Sequence, residues 1–143
     1  MADFNYDEFY KTQDATFLDH SERLGLLASL CHGETADFGC CMGILSDYYQ
    51  GGYCGFDIAD SALNKAREVR RPDAKFIKHD CSDLTTIKIE DFDTFVFAEF
   101  LEHFDDDFKI LMPIFNRHRP GARIVISIPN GDRIPDPSHL RAL

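Results

Sequence analysis

The chain has 143 residues, and its 25 acidic against 15 basic side chains leave a formal net charge of −10. Forty-four per cent of positions are hydrophobic, including 13 Phe, and no Pro/Gly-rich tract occurs, which argues against disorder and for a single core. The acidic balance argues against nucleic acid and anionic membranes, whose affinity comes from Lys and Arg. No apolar run is long enough to span a bilayer, and no basic–apolar start reads as a secretory signal.

Residues 1–16 are polar and aromatic with weak periodicity, and read as an arm or a loose helical turn. Over 17–30 apolar residues recur at helical spacing up to the stop at His32-Gly33. Short β-prone runs then follow near 34–38, 53–57, 75–79, 93–98 and 122–128. Helix-like stretches lie between them at 43–50, 60–70 and 104–117, with Asp60 or Ser61 expected to cap the second. Strands recurring between helices predict βαβ units and a mostly parallel sheet of about five strands, an α/β fold over 17–143. The five Cys at 31, 40, 41, 54 and 81 are odd in number and form no C-x-x-C pair. Reduced thiols and a cytoplasmic location follow as the expectation.

The segment Ala36-Asp37-Phe38-Gly39-Cys40-Cys41-Met42-Gly43 follows a predicted strand and opens a helix-like stretch, the context of a nucleotide-binding turn. Gly39 permits a tight turn and Gly43 a close approach of the following element. Asp57 ends the second strand, where a carboxylate can accept from both hydroxyls of a ribose or simply cap a helix. The loop lacks the G-x-G-x-x-G spacing of nicotinamide-dependent oxidoreductases.

In these residues the chain resembles the class I S-adenosylmethionine-dependent methyltransferases. Their first motif is commonly D-x-G-C-G-x-G, and here it reads D-F-G-C-C-M-G. The likeness continues through Gly55-Phe56-Asp57-Ile58, the stretch from Ser61 to Arg67, His79-Asp80-Cys81, Glu99-Phe100-Leu101-Glu102-His103 and Arg119-Pro120-Gly121-Ala122. The resemblance implies a Rossmann-like three-layer sandwich and methyl transfer from S-adenosylmethionine to an O or N nucleophile of a small molecule or protein. It also implies that Asp37, Gly39, Cys40, Cys41 and Gly43 line the methionine part of the cofactor. Asp57 would hold the ribose, Ile58 and Cys81 the adenine, Asp80 its amino group, and Ala98 and Glu99 would sit beside the sulfonium. Cys41 replaces the family's middle glycine, so positive φ there would bring a side chain against the cofactor.

Glu99, Glu102 and His103 lie at i, i+3 and i+4, one face if the chain is helical there. With His139 downstream they resemble the E-x-x-E-H plus distal His of small-RNA 2′-O-methyltransferases and the metal-assisted O-methyltransferases of ubiquinone biosynthesis. That likeness implies a Mg²⁺ or Mn²⁺ site. The same string occurs in methyltransferases without a metal, where His103 is a general base or only orients substrate. Two alternatives stay open for the arm's aromatics Phe4, Tyr6, Phe9 and Tyr10: a lid over the cofactor, or packing on the outer face. Arg23 is expected to pair with Asp19 or Glu22 rather than to meet the cofactor's carboxylate. Family members continue past strand five with a helix and an antiparallel strand pair. The resemblance therefore implies either a longer chain or a five-stranded cofactor-binding module completed by a partner chain, a homo-oligomer included.

Overall fold

A computed structural model describes residues 4–16 and 19–129. Five strands form the sheet: β1 (Thr35–Phe38), β2 (Tyr53–Asp57), β3 (Lys75–Lys78), β4 (Thr94–Ala98) and β5 (Arg123–Ser127). Their order is β3-β2-β1-β4-β5 and every pairing is parallel. The helices are α1 (Tyr6–Lys11), α2 (Ser21–Leu30), α3 (Leu45–Tyr48), α4 (Asp60–Val69) and α5 (Asp107–Arg117), with 3-10 turns over Ile89–Asp91 and Leu101–His103.

Alternation along each strand divides the core in two. Ala36 and Phe38, Cys54 and Phe56, and Phe95 and Phe97 face α5 and its Ile110 and Ile114. Tyr53, Phe76, Val96 and Val125 face the other way, onto Leu24 and Leu27 of α2, Leu45 of α3, and Leu63 and Ala66 of α4. This is the expected three-layer arrangement. Phe38 lies in register with Phe56 on one side and Phe97 on the other. Its ring stacks on both, with centroids 5.3 and 5.1 Å apart, so a ladder of rings fills the middle of the α5 face.

The sequence order steps outward from β1 to β2 to β3, then returns across the sheet to β4. The reversal opens a crevice between the carboxyl ends of β1 and β4, where ligands of such sheets bind. Three predicted elements differ in detail. The helix expected over 43–50 is one turn, Leu45–Tyr48, because Tyr49 is already extended and the chain must reach β2 at Tyr53. The helix expected from 104 begins at Asp107, where the Asp106 carboxylate accepts from Lys109 N–H at 3.0 Å.

The cap of α4 is also not Asp60 or Ser61. Ala59 is the N-cap residue and has no side-chain oxygen to offer. Instead Asp7, on the arm, accepts from Ser61 N–H at 2.7 Å, and Ser61 Oγ donates to the Asp7 carbonyl at 2.7 Å. The Asp7 carboxyl is held below the ordinary carboxylate range, chiefly by the Ser61 N–H. The Lys65 ammonium, one helical turn on, donates to the carbonyls of Tyr10 (2.7 Å), Lys11 (3.1 Å) and Gln13. Residues 4–16 are thus latched along α4.

Candidate functional site

Gly39, the first residue after β1, has φ +70°, and a Cβ there would collide with the ring of Phe100. Its N–H and that of Cys40 both donate to Phe56 O, at 2.8 and 3.0 Å, which folds the loop back over β2. Cys41 has φ +53°, a conformation that costs any residue with a Cβ about 1–2 kcal/mol. Its N–H donates to Asp57 Oδ2 at 2.8 Å, while Asp57 Oδ1 accepts from Ala59 N–H at 2.9 Å. Burial raises the Asp57 carboxyl above its usual range and these N–H groups partly offset it. Gly43 (φ +68°) leaves room for the ring of Phe76, which a Cβ there would meet, and lines neither cavity described below.

Two cavities meet over this loop. One, of about 90 Å³, is walled by Asp57, Ile58, Asp80 and Cys81 on one side and by Phe100, His103 and Phe104 on the other. The second, of about 120 Å³, is walled by Asp37, Cys40, Cys41 and Ala98, with Arg23 at its edge. Gly39, Glu99 and Tyr10 belong to both and mark the join. The arm therefore covers the crevice, with Tyr6 and Tyr10 packed on Cys41, Met42, Ala59 and Ala62.

The electrostatics of the two cavities differ. In the second, burial pushes the Asp37 carboxyl up to about 7, against the hydrogen bond from Tyr53, whose hydroxyl donates to Asp37 Oδ2 at 2.5 Å. The negative charge of Asp57 raises it further and Arg23 lowers it. Burial likewise pushes the Cys41 and Cys81 thiols up to about 12, so both stay protonated and unreactive at neutral pH. Arg23 Nη1 lies 3.5 Å from Glu99 Oε1, so Arg23 pairs across the crevice and not with Asp19 or Glu22 as expected. The first cavity has no Lys or Arg among its lining residues.

The helical face expected to carry Glu99, Glu102 and His103 does not form. Glu99 has φ +53° and lies outside any helix, its N–H donating to Ser127 O at 2.9 Å. Glu102, in the 3-10 turn, is buried, only 2% exposed, while His103 lines the first cavity. Among the described residues no three His, Cys, Asp or Glu side chains gather as metal ligands, and His139 lies outside them. Phe100, Phe104 and Tyr53 were not expected in this site. Tyr53 meets Asp37 because alternate residues of neighbouring strands share a face, which becomes legible only once β1 and β2 are paired.

Residues 36–126 match the family model described as "Methyltransferase domain". No protein with a curated description matches the chain. Among solved structures the fold is similar to the complex between the Haloferax volcanii Trm112 methyltransferase activator and a methyltransferase (TM-score 0.72, 16% identity, 90% of this chain and 62% of that one). It is similar to a protein of Pyrococcus horikoshii (TM-score 0.67, 22% identity, 90% and 69%). An S-adenosylmethionine-dependent methyltransferase of Mesorhizobium loti also resembles it (TM-score 0.64, 20% identity, 78% and 54%). At these identities the likeness is one of fold. The chain spans 62% of the length of the Haloferax chain and 54% of the Mesorhizobium one. Among the described residues no helix is long and apolar enough to cross a membrane.

Proposed function

The chain belongs to the class I S-adenosylmethionine-dependent methyltransferase family, and from that membership we propose that it binds S-adenosylmethionine over the carboxyl ends of β1, β2 and β4 and transfers its methyl group to an O or N nucleophile of a small molecule or protein. The observation that carries this reading is the pair of cavities joined at Gly39, one walled like a nucleoside site and the other holding charges of both signs. Gly39 fits that use, because it lines both cavities and its positive φ turns the chain where the two halves of a ligand would meet.

In this reading the ribose hydroxyls fall to Asp57. Each of its oxygens already takes one N–H and keeps a further lone pair for a donor. Ile58 and Cys81 flank the adenine, and Asp80 accepts from its amino group. In the second cavity Asp37 and Arg23 complement the ammonium and carboxylate of an amino acid, while Cys40 and Ala98 pack against its chain and the Cys41 side chain crowds it. Glu99 stands at the join.

When bound, the cofactor supplies an electrophilic methyl group on a sulfonium sulfur. The chain's own residues then hold the acceptor in line, exclude water and remove a proton. In this reading His103, which lines the first cavity with Asp57, takes that proton. Tyr6 and Tyr10, on the latched arm, exclude water.

Calorimetric titration with S-adenosylmethionine, S-adenosylhomocysteine and NAD tests the binding half. Micromolar binding of both sulfur compounds and none of NAD is expected, and failure of both to bind below millimolar removes the reading. For the catalytic half, His103→Ala should abolish turnover and retain cofactor binding. A second reading, a cofactor-binding module that needs a partner chain for activity, is favoured by one observation. Among the described residues, β3 and β5 each pair with one strand only. Methyl transfer by the isolated chain would exclude it.

A further inference from the structure

We propose that the acceptor this site takes is an amine, recognised as its ammonium cation between two pairs of aromatic rings. The proposal rests on the methyl-transfer reading above and narrows its substrate class. Tyr6 and Tyr10 stand on α1 with ring centroids 6.4 Å apart and planes 21° from parallel. Phe100 and Phe104 stand on the β4–α5 connection with centroids 4.8 Å apart and planes at 52°. All four line the first cavity, so aromatic surface reaches it from two separate elements. The charged groups of that cavity are Asp57, Asp80 and Glu99.

With Asp57 and Asp80 assigned to the nucleoside, what remains for the acceptor is four rings, the Glu99 carboxylate and the His103 imidazole. Aromatic faces are negative and attract cations, most strongly where water is excluded. A phosphate or carboxylate acceptor would meet these faces and Glu99 with no basic side chain in the lining to offset them. Arg23, the basic group near Glu99, approaches from the other cavity. The position of Glu99 is set by its backbone, held at φ +53° by the bond to Ser127 O.

For transfer, the ammonium gives one proton to His103. The freed nitrogen lone pair forms the new N–C bond as the methyl carbon–sulfur bond breaks, and the electrons of that bond stay on sulfur.

The test is a calorimetric comparison of choline with its uncharged isostere 3,3-dimethylbutan-1-ol, on the protein with and without saturating S-adenosylhomocysteine. Choline should bind at least tenfold more tightly than the isostere. Glu99→Gln and Phe104→Leu should each weaken choline about tenfold while leaving the isostere unchanged. Equal affinities, or no binding of choline in either state, overturn the proposal. Choline discrimination without any S-adenosylhomocysteine heat overturns the methyl-transfer reading, and with it the acceptor role, while leaving a site for an ammonium cation. Ethanolamine and N-acetyl-lysine amide, titrated in parallel, tell a small amine from a protein lysine as the source.

Discussion

Cys41 donates its N–H to Asp57 Oδ2 at 2.8 Å, and so the residue at the strained centre of the loop is tied to the carboxylate that ends β2. The bond holds Cys41 at φ +53°, which a glycine would adopt without cost. The strain is offset by the Asp57 bond and by contact between the Cys41 side chain and the arm's Tyr6 and Tyr10.

Replacing Cys41 by Gly should relieve that strain. The expected net effect is small, a gain of at most about 1 kcal/mol, because glycine loses more chain entropy on folding. Urea unfolding should show a midpoint shifted upward with an unchanged slope. S-adenosylhomocysteine should bind more tightly, since the thiol no longer borders the second cavity.

Gly39→Ala should act in the opposite direction. A Cβ there meets the Phe100 ring and sits at φ +70°, so the cost combines overpacking with backbone strain, about 2–4 kcal/mol. Adding Phe100→Leu should recover the overpacking share and leave the backbone share. A double mutant no more stable than Gly39→Ala alone would show that Phe100 is not what confines this position.

Asp37 makes stability depend on pH. Its folded carboxyl is pushed up to about 7 from an ordinary 3.8, so between those values the folded protein binds a proton that the unfolded chain has released. Its contribution is therefore fully present below about pH 4 and lost as pH rises through about 7. Asp37→Asn removes the titration while keeping an acceptor for Tyr53. The variant should gain on the parent from pH 5 to pH 8 by an amount on the order of 2 kcal/mol, read from urea midpoints. A constant difference across that range would mean the carboxyl titrates normally.

The arm is held by contacts that two substitutions remove. Asp7→Ala frees the Ser61 N–H at the start of α4, and Lys65→Met frees the carbonyls of Tyr10, Lys11 and Gln13. The pair should raise amide exchange over residues 6–16 and speed release of bound S-adenosylhomocysteine several-fold. Unchanged release with a loosened arm would show that α1 does not gate the crevice. Because the Ser61 N–H holds the Asp7 carboxyl below its ordinary range, acid should loosen the arm only once pH falls beneath that range.

The strand pattern was legible because buried parallel strands are short apolar runs, and β4 reads TFVFA. The loop at Gly39 was legible because its glycine and the Asp57 carboxylate are spaced by the fold itself. The contacts that complete the site were not. Tyr53 with Asp37, Asp7 with Ser61 and Phe100 with Gly39 each join residues whose proximity is created by packing, with no local signal in the chain. The expected helical face at Glu99 failed for a related reason. Its spacing fits a helix, but Glu99 N–H is taken by Ser127 O at the end of β5, and that bond turns the backbone before a helix can start.

An all-parallel sheet has a kinetic consequence. Without a hairpin, no strand can pair with a neighbour until an intervening crossover has been laid down. β1 sits at the centre, yet its Phe38 meets Phe97 of β4 only after roughly sixty further residues have been added. During synthesis β1, whose TADF segment is buried throughout in the folded sheet, therefore has no strand partner until β2 has been made. Folding of this sheet should be slow, and the state in which β1 still lacks its partners should be the one most prone to aggregate.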